Sequence, residues 1–225
     1  MTTDYLSYLP LIISATGTTL WLSWLALLIG AVGGTAVALL RRSRWRLLRL
    51  VALLYTELFR SIPILIVMFF CYFGVPLVFG VNLSPFTAAT IALALHASSM
   101  MSEVVRAGLE SVGRGQWEAA LSAGMSAVQV LRYIVGPQAI RVILPPSIGV
   151  FITTIKESSL ASIIGYIELT RTGLLIRENG DGGFLPLLGL AAIYFVINYL
   201  ISLGGSAMER RFHVGGRLTM AGAIQ

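Results

Sequence analysis

Leu9–Leu40 is a run of 32 residues without an Asp, Glu, Lys, Arg or His. As a helix rising ~1.5 Å per residue it is about 48 Å long, against a bilayer hydrocarbon core of about 30 Å. A soluble fold of 225 residues has no core large enough to hide such a run. The first apolar stretch is therefore read as a membrane span, long enough to tilt or bend. Gly30, Gly33 and Gly34 offer it a close helix contact. The rest of the chain has the same character. Only 12% of its residues are charged and its mean hydropathy is +0.85, whereas soluble domains are about 25% charged. At ~20 apolar residues per span the length admits about five spans with short loops, in one domain.

Charge placement sets the expected topology. Arg41, Arg42, Arg44, Arg46 and Arg49 follow the first span directly, and such clusters mark the cytoplasmic side. The net charge of +6 thus reads as a topology signal and not as a nucleic-acid surface. The expected fold class is an all-α integral membrane protein of five transmembrane helices. The spans fall at about 9–40, 51–79, 85–109, 138–155 and 184–208, with a cytoplasmic loop at 110–137. The N-terminus is then outside. The C-terminus, after Glu209, Arg210, Arg211 and Arg217, is inside. The N-terminal MTTDYLSYLP has no positive region of the kind that opens a cleavable signal. Five spans do not divide into two equal halves, which weighs against a self-contained inverted-repeat transporter.

Ionisable residues at membrane depth must face protein or water. Glu57 and Arg60 lie three apart on the second span, and Glu103 and Arg106 three apart on the third, so each pair reads as a structural ion pair. Pro63 permits a kink between them and the rest of span two. Ser84 and Pro85 suit the N-cap and first position of the third span. That span turns from apolar to small and polar along HASSMMSEVVRAG, which suits a packed helix contact or a wet cavity. Lys156 and Glu157 form an unusual charged pair at the outer end of the fourth span, before a short outer helix and the glycine-rich ENGDGG.

The stretch 116–146, QWEAALSAGMSAVQVLRYIVGPQAIRVILPP, is a polar, small-residue insert in this apolar chain. Trp117, Ala120, Leu121, Gly124, Val128 and Leu131 recur at helical spacing. The periodicity predicts one amphipathic helix from 117 to 131, a break at Gly136-Pro137, and a fourth span interrupted at Pro145-Pro146.

Several chemistries have no footing. There is no phosphate-binding G-x-x-x-x-G-K-[ST] loop. Two histidines, His96 and His213, and one cysteine, Cys71, make no metal or haem set. Neither histidine belongs to a recognisable hydrolase triad. The chain is expected to need no cofactor, to carry no catalytic site and to depend on an external energy source.

In the insert, Glu118, Ala119, Ala120, Gly124, Ile134 and Pro137 stand in the register of a known motif: E-A-A, three residues, Gly, nine residues, Ile, one residue, Leu, Pro. The chain resembles the membrane permease subunits of type I ABC importers, in the polar amino acid uptake branch. The motif's Leu is Gly136 here. The likeness extends through YTELFRSIP (55–63), SEVVRAGLESVGRGQWEAA (102–120) and KESSLASIIGYIEL (156–169). Where the branch has a Tyr in its third span, this chain has Met100.

The resemblance implies a transport subunit in the bacterial cytoplasmic membrane, itself not an enzyme, contacting membrane lipid. It implies that the insert docks on a cytosolic ABC ATPase dimer. A second permease subunit, a copy or a paralogue, and an extracytoplasmic amino-acid-binding protein complete the assembly. The small-molecule substrate is an amino acid. A zwitterion needs a cation for its carboxylate and an anion for its ammonium group. Lys156, Glu157, Ser158, His96 and Ser99 are the candidate contacts. The other reading open at this point is a channel or secondary transporter not driven by ATP, for which the sequence offers no second half.

Overall fold

The computed structural model describes residues 5–179 and 183–212, so His213, Arg217 and the centre of ENGDGG lie outside the described residues. A 3₁₀ turn, Tyr5–Tyr8, leads into α1, Leu9–Leu40. Next come α2, Arg46–Ser61, and α3, Ile64–Phe79. α4 is Pro85–Glu110, α5 is Arg114–Ser122 and α6 is Ala127–Ile164. α7, Leu169–Asn179, and α8, Leu185–Phe212, complete the described chain. The described residues form no strand. Among the described residues four helices are long and apolar enough to cross a membrane, or five if α2 and α3 together count as one broken span.

α4 is the centre of the fold. One side packs on α1, where Leu22, Ala26, Gly30, Gly34 and Ala38 recur about every four residues and are buried. The glycines bring the two backbones together. A Cβ at Gly34 would stand 2.6 Å from Ser98 O and 2.7 Å from Met101 Cβ, and one at Gly30 would stand 2.7 Å from Ala97 Cβ. Lipid supplies no hydrophobic drive between helices, so close backbone approach is how such pairs gain contact energy. The small and hydroxyl residues of α4 are thus a packed contact. Ser98, Ser99 and Ser102 are all buried, and Thr56 of α2 meets Ser102 at 3.0 Å.

The second span, placed at 51–79, bends by 102° at Ile62-Pro63, where Pro63 permits a kink. Ile62 is extended, as a residue before proline prefers. Two expectations are corrected, both after the residues of that bend. The insert is not one helix from 117 to 131: α5 stops at Ser122 and a new helix begins at Ala127. The breaks expected at Gly136-Pro137 and Pro145-Pro146 are absent, because α6 runs through both.

A wide π-helical turn, Val130–Val135, immediately precedes Gly136 and Pro137. Its amide-to-carbonyl bonds step back five residues instead of four, so the helix re-registers where Pro137 lacks a donor. α3 repeats the device, with a π-turn at Phe70–Gly74 before Pro76. At Pro145 and Pro146 two amide donors are lost. The carbonyls they would have served are those of Arg141 and Val142, both exposed residues.

The short helix expected after the fourth span is α7. It is secured by Glu168, which is fully buried. The Glu168 carboxylate accepts from the amides of Thr170 and Arg171, both at 2.9 Å, from Tyr194 Oη at 3.0 Å and from Thr19 Oγ1 at 3.3 Å. One side chain thereby caps α7 and ties it to α1 and α8. Burial pushes this carboxyl up, and the four donors oppose that.

Candidate functional site

The insert folds back on the ends of α1 and α4 that carry the arginine-rich turn. Ala120, Val130, Val135 and Ala139 are buried against Ala38, Met101, Val105, Leu109 and Val112. α5 therefore turns Ala120 inward, while Glu118 and Ala119 on its other side are exposed.

Gly124 ends α5 with φ +81, in the left-handed region. Its amide donates to Leu121 O at 3.0 Å and the Met125 amide donates to Ala120 O at 3.2 Å. This pair of bonds is a Schellman C-cap, which favours glycine at the left-handed residue. No atom lies within 4 Å of where a Gly124 Cβ would be, so the backbone angle and not space demands glycine. Ser126 then caps the next helix in a capping box with Gln129. The spacing from Glu118 to Gly124 spans the second half of this short helix and its stop.

Ile134 is half-buried and Pro137 is exposed. A Cβ at Gly136 would stand 2.6 Å from Leu131 O, so the missing apolar residue is matched by the tight wide turn.

A charged network sits beside the insert. Glu103 bonds Arg41 and accepts from Arg106 at 2.7 Å. Arg106 also meets Glu110 at 2.7 Å. Arg60 lies 4.0 Å from Glu103 and 3.8 Å from Glu57. The Glu103–Arg106 pair is tight. Glu57–Arg60 is looser, with both side chains about half exposed (54% and 45%), where an ion pair contributes little. Sequence reasoning missed the Arg41–Glu103 tie between α1 and α4, since spacing cannot distinguish Arg41 from the four arginines beside it.

The candidate substrate residues divide. His96 Nε2 lies 3.3 Å from Glu157 Oε1, joining α4 to α6, and His96 Nδ1 lies 3.0 Å from Phe59 O. Lys156 is exposed one residue away. Ser99 and Ser158 are fully buried and donate to their own helix, to His96 O and Ile155 O. Met100 packs half-buried against the cluster under the insert.

The fold and insert define a class: a multi-span helical membrane subunit with a short exposed helix presented on a loop between spans. Comparison with known proteins places it. Residues 30–214 match the family described as "Binding-protein-dependent transport system inner membrane component", and the chain belongs to that family. It is 41% identical over 166 residues to the probable glutamine ABC transporter permease protein GlnP of Bacillus subtilis (strain 168), covering 72% of this chain and 75% of that one. It is 36% identical to the probable amino-acid ABC transporter permease protein YckA of the same organism, over 90% and 89% of the two chains.

Among solved structures, a crystal structure of an amino acid ABC transporter with histidines matches with a TM-score of 0.86 and 41% identity. It covers 94% of this chain and 100% of that one. The inward-facing methionine ABC transporter MetNI shares the fold, with a TM-score of 0.78 at 20% identity over 94% and 99% of the chains. The chain is an ABC transporter permease, a multi-pass subunit of the bacterial inner membrane, and its family works with an ATPase and a substrate-binding protein.

Proposed function

We propose that this permease serves the uptake of polar amino acids and that α5 is the helix on which a cytosolic ATPase dimer pushes. The observation that carries the coupling half is the α5 C-cap. A nine-residue helix exposes Glu118 and Ala119, stops at a glycine that only backbone geometry requires, and packs its inner face on α1 and α4. Such a rigid knob transmits a push to the spans behind it. The α6 helix then runs unbroken from the turn after α5 to Lys156 and Glu157.

The amino acid reading is supported by the relatives, whose names specify glutamine or amino acids. The geometry adds a cation, Lys156, beside an anion, Glu157, as a zwitterion requires. His96 holds Glu157 in place until the substrate's ammonium group arrives. In this reading a second permease, a copy or a paralogue, closes the pathway, the N-terminus lies outside and the C-terminus inside. ATP binding closes the ATPase dimer and turns the cavity outward; hydrolysis resets it.

Uptake into vesicles carrying the whole complex tests the function. Transport should require ATP on the ATPase side and the binding protein on the other. Uptake driven by a proton gradient without the ATPase overturns the reading. Glu118→Lys should abolish ATPase docking with normal membrane insertion, and co-purification of the ATPase at wild-type yield would remove Glu118 from the contact.

A further inference from the structure

Arg41 and Arg42 are adjacent but have different surroundings. Arg41 is bound to Glu103. Arg42 lies over the ring of Trp117, its guanidinium carbon 4.6 Å from the centroid. It there lines a cavity of about 400 Å³ with Leu109, Glu110, Val112, Arg114 and Trp117. The cavity joins the end of α1, the end of α4 and the first turns of α5. Glu110 is engaged by Arg106 at 2.7 Å. Among the described residues neither Arg42 nor Arg114 forms an ion pair. Two guanidinium groups therefore face one concave space whose lining carboxylate, Glu110, is engaged by Arg106.

We propose that this cavity binds the phosphate-bearing headgroup of an anionic phospholipid from the cytoplasmic leaflet. A guanidinium stacked on an indole presents its face to the ring and leaves its N–H edge for a phosphate. Arginine's planar fork matches two phosphate oxygens at once. The volume holds about a dozen waters at ~30 Å³ each, more room than a bare phosphate fills. Leu109 and Val112 supply an apolar wall for the glycerol side of the headgroup. The level is right as well: α1 and α4 both end here, and α2 leaves beside it with exposed Arg46 and Arg49 among exposed Leu47, Leu50 and Val51. That is the pattern of a helix lying at a headgroup interface.

A lipid seated between Arg42 and Arg114 bridges the first span to α5. On the coupling reading above, it steadies the helix that meets the ATPase.

The test reads binding apart from transport. The full-length permease, with Trp21, Trp24 and Trp45 each replaced by Phe, is placed with a tryptophan-free variant of its ATPase in phosphatidylcholine nanodiscs, so that Trp117 alone fluoresces. Phosphatidylglycerol brominated near the headgroup is titrated in. Saturable quenching of Trp117 is expected. Arg114→Gln, which leaves the indole stack intact, should raise the half-quenching lipid fraction roughly ten-fold or more, the loss of a hydrogen bond between charged partners. Arg42→Gln should do the same. Arg44→Gln, which lies outside the cavity and removes the same charge, should change it by no more than the roughly five-fold that any arginine contributes near an anionic surface. An equal shift in that control, or no saturation, overturns the site in favour of diffuse surface attraction. Millimolar inorganic phosphate should leave the quenching unchanged. Phosphate that displaces the brominated lipid overturns the lipid assignment and identifies a soluble anion as the ligand. If quenching behaves as expected while uptake needs no ATP, the site stands and the importer reading fails.

Discussion

Gly124→Ala isolates the backbone demand at the end of α5. The glycine sits at φ +81 with nothing within 4 Å of its missing Cβ. Alanine therefore meets no clash, and the whole penalty is that of holding an L-residue in the left-handed region, ~1–2 kcal/mol. Every 1.4 kcal/mol is tenfold, so the C-cap should open about 5–30-fold more often. The amides that report it are those of Gly124 and Met125, which donate to Leu121 O and Ala120 O.

Hydrogen exchange on the reconstituted complex should show lower protection at position 124 and Met125 by that factor, with α1 and α4 unchanged. Coupling of ATP hydrolysis to uptake should fall in parallel. Gly124→Asn, which tolerates the left-handed region better, should retain more of both, and Gly124→Val, β-branched, less. Equal protection and coupling across glycine, alanine and valine would refute the C-cap argument outright. Reduced protection with intact coupling would keep the turn and remove its role in transmission.

Other residues carry their own expectations. Gly34→Leu drives a side chain into Ser98 O, Met101 Cβ and Ser102 N, all within 2.9 Å of the new Cβ; overpacking of this kind costs about 1–3 kcal/mol. Thermal unfolding in detergent should show the loss, whereas Gly33→Leu, whose Cβ meets only Ser98 Cβ at 3.4 Å, should lose less. Glu103→Gln leaves Arg41 and Arg106 sharing one neutral oxygen and should destabilise by about 1–3 kcal/mol, the range for hydrogen bonds to charged groups; a melting temperature equal to wild type would dismiss the network as structural glue. Lys156→Ala should lower uptake several-fold while the ATPase still co-purifies, and unchanged uptake kinetics would remove Lys156 from the pathway. Glu168→Ala should free α7, read as faster hydrogen exchange at Thr170 and Arg171, whose amides lose their acceptor.

How much could be read from the residues alone follows the range of each interaction. Leu9–Leu40 declares a span because a long uncharged run has one cheap environment, and the helix matches those bounds. Ser84 and Pro85 open α4 as local capping rules dictate, with Ser84 accepting from the Thr87 amide. The pairs at three-residue spacing, Glu57 with Arg60 and Glu103 with Arg106, lie within one helix and were legible for that reason.

What failed was helix continuity. Apolar period carried the insert helix past Gly124, where a left-handed angle stops it. Proline rules broke α6 at Gly136-Pro137 and Pro145-Pro146. There a wide turn keeps the helix continuous across the first, and the helix runs through the second without the two amide donors. A residue type states a preference, and only packed neighbours decide whether the backbone follows it.

The sequence by itself determined the membrane class, the first helix and the position of the exposed insert, because hydrophobic length and motif spacing are one-dimensional quantities. Only the tertiary structure decided that Arg41 serves Glu103 while Arg42 faces a cavity, that His96 holds Glu157, and that Glu168 fastens α7 to α1 and α8. Each is a contact between residues far apart in the chain. Distance in space, which sets the strength of an ionic or hydrogen-bonded contact, is not written in the order of residues.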